Sequence, residues 1–415
     1  GITNVTTPTL RISFSTAQAS ADAVVKVYAG ANLVGTKLLT AAEAAAGSAD
    51  VLLSALGADG TQQITATLTD TSGNNSPASS ALAITLDTAA PSAPSVSLSA
   101  ASDTGASNAD NITSQTAPLM RVSFTAAQVS ADAQVKLLSN GVEVATAKLT
   151  AAQAQQGFVD LQLTANRLGL DGVKNLTATV TDTAGNTSTT GKALALTLDT
   201  SAPAKIALLD LAAEDDTGLS SADNVTNLTS GLTLSGQAEA GASIEVLDGT
   251  SVAAKTVANA NGQFSIDVAL TAGAHDVSAR ATDLAGNTSV VSDTLRIQID
   301  TVKPTITSVT NPQANTYGAG SVLNFDVVFS EAVALPASAQ LQLQAVGGSA
   351  TWLASLVSSA FTSTNANGSL NQARFSYTVQ SSDVANNGLK VLGLSAVPTD
   401  LAGNALSTYS WADLA

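Results

Sequence analysis

The chain has 415 residues and carries 16 basic and 32 acidic side chains, which gives a formal net charge of −16 at pH 7. This acidity argues against binding to nucleic acid or to anionic membrane surfaces and suits hard divalent cations. The sequence contains no cysteine and only one histidine, so disulfides, thiolate metal sites, cysteine nucleophiles and multi-histidine metal centres are excluded.

The length of the chain exceeds that of one ordinary hydrophobic core and predicts several domains. No apolar run approaches the length of a membrane-spanning helix, so we expect no membrane insertion in this segment. The first residues show no charged or apolar pattern typical of a signal peptide.

Two short motifs repeat along the chain. The first, here called the Asp-x-x-Gly-Asn motif, recurs about every 100 to 120 residues, at residues 70–74, 182–186, 283–287 and 400–404. The second, the linker motif, runs from an aspartate to a proline at residues 87–91, 199–203 and 300–304. A period of about 100 residues is too long for a solenoid unit, so each repeat is predicted to be a small domain.

The prolines of the linker motif predict four domains, at residues 1–90, 91–202, 203–303 and 304–415. The first repeat begins at a point that matches Asn111 of the second. We therefore expect the first domain to be truncated at its N-terminus, without its first strand and the loop after it. The fourth domain diverges from the others and holds most of the aromatic residues.

Apolar residues alternate with polar ones before the Asp-x-x-Gly-Asn motif, as at Ile64, Ala66 and Leu68. A period of two predicts strands with one buried and one solvated face. Asn-Gly and Asp-Gly pairs, at residues 140–141 and 248–249, predict hairpin turns. The fold class is therefore predicted to be all-β, with four tandem immunoglobulin-like β-sandwich domains.

Two matching stretches, residues 40–47 and 150–157, are predicted to form short helices between strands. Each begins with a threonine that can cap a helix, continues through alanine-rich sequence and ends at a glycine.

The second and third repeats each contain an aspartate-rich loop after their first predicted strand, here called the acidic loop. The aspartates are Asp103 and Asp110 in the second repeat and Asp215, Asp216 and Asp223 in the third. Such loops offer the hard oxygen ligands that calcium prefers. Several carboxylates in one loop also repel one another unless a cation lies among them. Both loops are therefore predicted to bind calcium.

The topology of a seven-stranded sandwich places the acidic loop of one domain against the Asp-x-x-Gly-Asn motif of the next, with the linker aspartate between them. Calcium sites are therefore predicted at the domain junctions. For the junction of domains two and three the candidate ligands are Asp103, Asp110, Asp199, Asp283 and Asn287. For the junction of domains three and four they are Asp215, Asp216, Asp223, Asp300, Asp400 and Asn404. The junction of domains one and two retains only Asp87, Asp182 and Asn186. Because that junction has no acidic loop, we expect weak calcium binding there or none.

Simpler interpretations stand beside the calcium hypothesis. Asp, Gly and Asn are residues that turns prefer, so a recurrent Asp-x-x-Gly-Asn motif can mean only a recurrent hairpin. His275 matches chemically unrelated residues, Gln62 and Lys174, and is interpreted as a variable residue at a turn edge. Glu331 has no acid–base partner that the sequence reveals, and a strand-edge position or a calcium-ligand role fits it better than catalysis.

Further motifs follow one another in order in the third repeat, at residues 236–241, 246–249, 259–264 and 283–287. Through the order of these motifs, the chain resembles the bacterial Ig-like repeats of giant surface adhesins exported by type I secretion, such as the biofilm-associated proteins. The likeness covers nearly all of residues 5–303. The fourth repeat is similar to another repeat type of these proteins through residues 325–333, but residues 307–317 hold no acidic loop. The resemblance implies an extended rod of tandem domains on the bacterial cell surface, stiffened by calcium ions.

The sequence therefore predicts an extracellular, non-enzymatic extender segment of an adhesin that supports cell adhesion and biofilm formation. We expect a monomer that binds calcium ions, while a host surface, an abiotic surface or a glycan is bound through other parts of the full protein. The alternative is an adhesive module that binds a glycan or a protein through the fourth domain. In that case Trp352 and Trp411 are the first candidates for stacking on a sugar, although a larger core also explains the aromatic residues.

Overall fold

The structure is a computed structural model that describes residues 1–357, 370–385 and 388–407. Regular structure in the described residues is almost entirely β-strand, which confirms the predicted all-β class. The chain forms two compact units, Gly1–Ser201 and Ala202–Ala415, and each unit contains two of the repeats. No helix in the described part of the chain is long and apolar enough to cross a membrane.

The first repeat is a sandwich of a five-stranded and a two-stranded sheet. Its elements are β1 (Ile2–Thr3), β2 (Thr9–Ser13), β3 (Val24–Ala29), β4 (Asn32–Leu38), α1 (Ala41–Ala46), β5 (Ser48–Leu52), β6 (Gly60–Thr69) and β7 (Leu82–Leu86). The larger sheet has the order β1-β7-β6-β3-β4, and β2 pairs with β5 in the smaller one. The short strand β1 runs parallel to β7, whereas the other pairs are antiparallel.

The second repeat has the same plan with one more strand. Its elements are β8 (Ser95–Leu98), β9 (Ile112–Thr113), β10 (Leu119–Ser123), a 3-10 helix (Ala126–Gln128), β11 (Gln134–Ser139), β12 (Val142–Lys148), α2 (Ala151–Gln156), β13 (Phe158–Gln162), β14 (Gly172–Thr181) and β15 (Leu194–Leu198). The sheets have the orders β13-β10-β8 and β12-β11-β14-β15-β9. The acidic loop therefore crosses from one sheet to the other, between β8 and β9.

The two short helices form where the sequence predicts them. The Thr40 side chain accepts a hydrogen bond from the backbone of Glu43, whose side chain accepts one from the backbone of Thr40, and Gly47 ends the helix with φ at 65°. Thr150 and Gly157 repeat this arrangement at α2.

The third repeat follows the second closely. Its strands are β16 (Ala207–Leu211), β17 (Val225–Thr226), β18 (Leu232–Gln237), β19 (Ser243–Asp248), β20 (Ser251–Val257), β21 (Gln263–Val268), β22 (Gly273–Thr282) and β23 (Leu295–Ile299). They form sheets of order β16-β18-β21 and β17-β23-β22-β19-β20.

The fourth repeat departs from the others because its described strands belong to one continuous sheet. They are β24 (Ile306–Thr310), β25 (Val322–Ala334), β26 (Gln340–Ala345), β27 (Thr351–Leu356), β28 (Leu370–Thr378), β29 (Leu389–Leu394) and β30 (Thr399–Asp400). The order is β24-β25-β28-β27-β26-β29, and β30 pairs with β25. The long strand β25 pairs with β28 and β30, and its register shifts between Val328 and Val333. That irregularity lets β25 pair with β30 as well as with β28.

Each repeat has a hydrophobic core of its own, built from the inward residues of its strands. In the second repeat, for example, Leu176, Ala178 and Val180 alternate along β14 and are fully buried. The period-two pattern of the sequence therefore identifies the buried face of each strand.

Candidate functional site

The Asp-x-x-Gly-Asn motif forms a turn whose aspartate is bonded mainly within the motif. In the second repeat Asp182 Oδ1 accepts the backbone N–H groups of Ala184, Gly185 and Asn186 at 2.9, 2.8 and 2.9 Å. Its Oδ2 accepts the side-chain amide of Asn186 at 2.9 Å. The same bonds from the asparagine backbone and side chain occur in the other three copies, in the pairs Asp70–Asn74, Asp283–Asn287 and Asp400–Asn404. In the first copy these bonds, led by the Asn74 side chain, lower the pKa of Asp70.

In the second and fourth domains, the asparagine of this motif also bonds to the linker that precedes its domain. The Asn404 amide donates to the backbone oxygen of Asp300 at 2.7 Å, and the Asn186 amide donates to that of Asp87 at 2.8 Å. Each asparagine thus joins its own turn to the end of the previous domain. Asn74, in the first repeat, is exposed.

The acidic loop of the third domain contacts the Asp-x-x-Gly-Asn motif of the fourth through backbone groups. The Thr217 hydroxyl donates to the carbonyl of Ala402 at 2.7 Å, and the Leu219 N–H donates to that of Leu401 at 3.3 Å. A Cβ atom placed on Gly403 would lie 2.3 Å from the carbonyl oxygen of Thr217. The two loops therefore lie together at this junction, which is the juxtaposition that the topology argument predicts.

Three carboxylates converge at the same junction. Asp300, from the linker, Glu331, from β25, and Asp400 each place one oxygen atom within 4.8 Å of the others. Asp400 is 1% exposed, and the other two are half-buried. The described residues include no basic partner for any of the three. Burial, and then the charges of Asp300 and Asp400, raise the pKa of Glu331.

The spacing of these carboxylates suits a calcium ion. Calcium bonds to oxygen at about 2.4 Å, so two oxygens on opposite sides of one ion are separated by about 4.8 Å. Six to eight oxygen ligands are usual, which three carboxylates, backbone carbonyls and water can supply. Without a cation or a proton, three charges held so close repel one another.

The other predicted ligands at this junction lie outside that group of three. Asp216 Oδ2 accepts the backbone N–H groups of Asp223 and Asn224 at 3.0 and 2.9 Å. Burial, and then Asp223, raise the pKa of Asp216. Asp215 accepts the backbone N–H of Thr233 at 2.8 Å and so anchors the start of β18. Ser102 does the same for β10 in the second repeat, which indicates a structural role for Asp215.

The acidic loop of the second domain holds a buried carboxylate with an unused oxygen. Asp103 is 7% exposed and accepts the backbone N–H of Asn111 through Oδ2 at 3.1 Å. Its Oδ1 is buried without a hydrogen-bond partner in the described part of the chain. Burial, and then Asp110, raise the pKa of Asp103. An unsatisfied buried oxygen beside a second carboxylate is a donor set that a cation can complete.

The linker aspartates stabilise turns. Asp87, Asp199 and Asp300 accept the backbone N–H of the residue two positions later, at 3.1, 3.1 and 2.9 Å. In the described residues, Asp87 and Asp182 are not part of any group of three close carboxylates. At the junction of domains one and two, the structure therefore shows the asparagine bond to the linker and no carboxylate cluster.

A cleft of about 480 Å³ lies at one end of the fourth domain, where residues 311–317 follow β24. These residues occupy the place of the acidic loop in the second and third repeats. Trp352 and Tyr377 line the cleft, with ring centroids 6.5 Å apart. One carboxylate holds both rings, since Trp352 Nε1 and the Tyr377 hydroxyl donate to Asp383 at 2.9 and 2.7 Å. Burial, and then Asp383, raise the pKa of Tyr377 to about 12. Trp411 lies outside the described residues.

His275 is part of a structural network near the start of β22. Its ring nitrogens lie 2.8 Å from Asp248 Oδ2 and 2.8 Å from the carbonyl oxygen of Thr271. Burial lowers the pKa of His275, but the bonds to Asp248 and Thr271 outweigh burial and raise it overall. These two hydrogen bonds indicate a structural role for His275.

Two residues of these sites are marked weakly or not at all in the sequence. The sequence indicates a calcium-ligand role for Glu331 only as an alternative, because Glu331 belongs to no repeated motif and reaches Asp300 and Asp400 only through pairing of β25 with β30. Asp383 had no signal, since nothing in the spacing indicates that it lies between Trp352 and Tyr377.

A family model described as "Bacterial Ig-like domain" matches three segments of the chain, residues 1–88, 90–200 and 203–301. These matches confirm the resemblance that the sequence motifs indicate. No curated protein matches the chain.

Several solved structures are similar to the chain at low sequence identity. One is described as a tetra-tandem repeat in the extending region of a large adhesion protein, with 20% identity, 97% of this chain and 93% of that chain covered, and a TM-score of 0.32. A biofilm-associated protein BSP domain has 15% identity, 72% and 61% coverage, and a TM-score of 0.17. Fibronectin(III)-like modules of Clostridium thermocellum CbhA have 12% identity, 46% and 87% coverage, and a TM-score of 0.29.

Proposed function

Because the chain belongs to the bacterial Ig-like domain family, we propose that it is a structural extender segment of a bacterial cell-surface adhesin. In this proposal its tandem domains hold an adhesive region away from the cell and so support adhesion and biofilm formation. The segment has no enzymatic role. It acts outside the cell, where calcium ions bind at the domain junctions and stiffen them.

The observation that carries the calcium part of this proposal is the group formed by Asp300, Glu331 and Asp400. It joins the linker of the third domain to two separate parts of the fourth, the strands β25 and β30. A bound calcium ion supplies positive charge and oxygen coordination that link these parts. Since the three residues have no basic partner in the described chain, removal of the cation leaves a repulsion that favours opening of the junction.

Thermal unfolding of the full chain, with and without millimolar calcium, tests the proposal. We expect calcium to raise the unfolding temperature of the fourth domain, because an ion that binds only the folded junction stabilises it by mass action. Glu331→Gln should weaken calcium binding at this junction about tenfold or more, since affinity depends on the number of charged ligands. Isothermal titration calorimetry measures that change directly.

Asp267→Asn is the matched control, because Asp267 is an exposed carboxylate on the sheet surface of the third domain. It should leave calcium binding unchanged. An unaltered unfolding temperature in calcium, or equal calcium affinities for Glu331→Gln and the wild-type chain, would remove the basis of the proposal.

A second candidate function is supported by the cleft in the fourth domain, which would bind a neutral carbohydrate. Asp383 fixes the rings of Trp352 and Tyr377 beside an open volume, and fixed aromatic rings can stack on the apolar faces of sugars. Exposed amide side chains at Asn311, Gln313 and Asn315 add polar groups at its rim.

Saturation-transfer NMR with a panel of neutral oligosaccharides tests this candidate. We expect transfer to at least one sugar in the wild-type chain and its loss in Trp352→Ala. The neighbouring variant Leu353→Ala, which changes an exposed residue that does not line the cleft, should retain it. Equal signals from both variants, or no signal from the wild type, would assign the aromatic residues to the core alone.

A further inference from the structure

A side-chain hydrogen-bond donor occupies the same place in each of the first three domains, two residues after the glycine that begins β6, β14 or β22. The donors are Gln62, Lys174 and His275, and each lies opposite a buried apolar residue of the next strand. Each one bonds to the backbone oxygen four residues before it, at 3.3 Å for Gln62 and 2.8 Å for His275. Although their chemistry differs, the three residues therefore close the same loop at the start of the strand.

The two hydrogen bonds of His275 require a proton on each ring nitrogen. The carbonyl oxygen of Thr271 can only accept, so Nε2, at 2.8 Å, carries one proton. Asp248 Oδ2 lies 2.8 Å from Nδ1, and an ionised carboxylate also only accepts. A neutral imidazole has one N–H group and satisfies one of these acceptors, whereas the imidazolium satisfies both. The geometry therefore favours the charged form of the ring.

Asp248 is the charged group that faces the His275 ring among the described residues. The other charged residues of β19, β20, β22 and β23 point to the outward face of the sheet and pair there with one another, and they are Glu245, Lys255, Arg280, Asp276 and Arg296. From β23, Ile297 lies beside the histidine, and residues 269–272 hold no titratable side chain. The facing sheet turns its carboxylates to solvent, and they are Asp210 and Asp267. One carboxylate therefore sets the charge around this ring.

Of these three domains, the third combines a titrating donor with an acidic partner. Asp248 is the last residue of β19, and Ala29 and Ser139 hold that place at the ends of β3 and β11. Histidine is also the one donor type of the three that ordinarily changes its charge between pH 5 and 8. The pair of His275 and Asp248 is therefore a pH-dependent version of a contact that the other two domains make without an acid.

We propose that His275 is a pH-sensitive clasp, which as an imidazolium ties the β19–β20 hairpin to the loop of residues 269–272. When the ring loses a proton, one N–H group remains for two acceptors. The Asp248 carboxylate keeps it, because hydrogen bonds to ionised acceptors are about twice as strong as those between neutral groups. The Thr271 carbonyl then loses its donor, and the loop is freed at the end of the domain from which the linker at Asp300 leaves.

The clasp should stabilise the third domain more at low pH than at high pH. Burial lowers the pKa of His275, but the bonds to Asp248 and Thr271 outweigh burial and raise it above the usual 6.5. The folded state therefore holds this proton to a higher pH than the unfolded state does. The resulting stability is complete below pH 6.5 and is lost as the pH rises through the folded-state pKa.

Nuclear magnetic resonance of the full chain with isotope-labelled histidine tests the clasp directly, because His275 is the only histidine of the chain. We expect the nitrogen shifts of an imidazolium below pH 6.5 and a titration midpoint above pH 6.5. Asp248→Asn should lower that midpoint. Asp276→Asn is the matched control, since Asp276 adjoins the histidine but lies on the outward face with Arg296, and it should move the midpoint less. A midpoint at or below pH 6.5, or equal shifts in the two variants, would overturn the proposal.

Hydrogen exchange measured by mass spectrometry tests what the clasp does to the loop. The Leu270 N–H bonds to the Thr229 carbonyl at 3.0 Å, so its exchange reports on the loop. After correction for the intrinsic effect of pH on exchange, we expect its protection to fall as the pH rises through the titration midpoint. His275→Gln copies the first domain, where Gln62 makes the equivalent bond, and should hold the loop at every pH. Protection in the wild-type chain that does not change with pH, or that falls equally in His275→Gln, would contradict the clasp.

Discussion

Asn404 links a turn of the fourth domain to the end of the third. Its side-chain amide donates both to Asp400 Oδ2 and to the backbone oxygen of Asp300, at 2.8 and 2.7 Å. Asn186 makes the same pair of bonds at the junction of domains one and two. No ion takes part in this link, so each of these two junctions has a hydrogen-bonded contact besides any contact that calcium would add.

Asn404→Ala should destabilise the fourth domain by about 1–3 kcal/mol, because it removes buried hydrogen bonds and leaves the Asp300 carbonyl without this donor. Urea unfolding of the full chain, followed by Trp fluorescence for the fourth domain and by hydrogen-exchange mass spectrometry for the first, which has no Trp, measures the change. Asn74→Ala is the matched control, since Asn74 occupies the same motif position on an exposed turn. We expect Asn74→Ala to lower the free energy of unfolding by less than about 1 kcal/mol. Equal decreases for the two variants would argue against the linking role of Asn404.

Glu331 should make the junction of domains three and four sensitive to pH, with opposite signs for stability and for calcium affinity. Its pKa in the folded protein is raised above the usual 4.5 by burial and by Asp300 and Asp400. Between these two pKa values the folded state binds a proton that the unfolded state has released. Without calcium, the free energy of unfolding therefore falls as the pH rises through that window. With calcium, affinity falls as the pH drops through the same window, because protons compete with the ion.

Urea titrations of calcium-depleted protein and calorimetric calcium titrations across this pH range measure both slopes. Glu331→Gln has no proton to exchange at this position and should flatten both. If the variant retains the wild-type slopes, the titrating group lies elsewhere.

A glycine of the Asp-x-x-Gly-Asn motif shows where the third and fourth domains approach each other. Gly73 and Gly403 hold the same place in the Asp-x-x-Gly-Asn motif, with φ at 87° and 90°. A Cβ atom on Gly73 would meet nothing within 4 Å, whereas one on Gly403 would lie 2.3 Å from the backbone oxygen of Thr217. Both glycines therefore have the strain of a positive φ, but of the two only Gly403 is in close contact with the third domain.

Gly73→Ala should lower the free energy of unfolding by about 1 kcal/mol, because the only effect at this position is backbone strain. Gly403→Ala should cost about 2–4 kcal/mol, because the third and fourth domains must also move apart. Chemical denaturation of both variants measures the difference. Similar costs would mean that the two loops are not held in contact in solution.

At the scale of strands and loops, much of this structure follows from patterns in the sequence. Period-two alternation identifies the buried faces, threonine and glycine bracket the helices α1 and α2, and the repeated motifs divide the chain. The sandwich topology also places the acidic loop of the third domain against the motif at residues 400–404, as found.

The remainder depends on contacts that no local pattern records. Asp215 lies in an acidic run, but its neighbour in space is the backbone of Thr233, which the sequence does not reveal. Glu331 joins Asp400 only because β25 is long enough to pair with β30 after a register shift. Asp383 accepts hydrogen bonds from Trp352 and Tyr377 only because folding brings these residues together. These are effects of tertiary structure rather than of local propensity.

At the scale of the whole molecule, each repeat has a hydrophobic core of its own, and we propose that calcium ions at the junctions supply the stiffness of the chain. Each repeat has its own core, so loss of calcium should loosen the connections without unfolding the domains. The acidic loops of the second and third domains, with their buried aspartates Asp103 and Asp216, should be the parts most affected. Millimolar calcium outside cells would keep even weak sites occupied.

Small-angle X-ray scattering of the full chain, in millimolar calcium and after calcium removal, tests this central claim most directly. A compact particle of this length would have a radius of gyration of about 22 Å. Four sandwiches end to end, each about 30 Å long, would form a rod with a radius of gyration of about 35 Å. We expect a well-defined extended particle in calcium that becomes flexible when calcium is removed, with Glu331→Gln partly flexible even in calcium. Identical scattering profiles in the two conditions would contradict the account and would leave the acidic loops as ordinary turns.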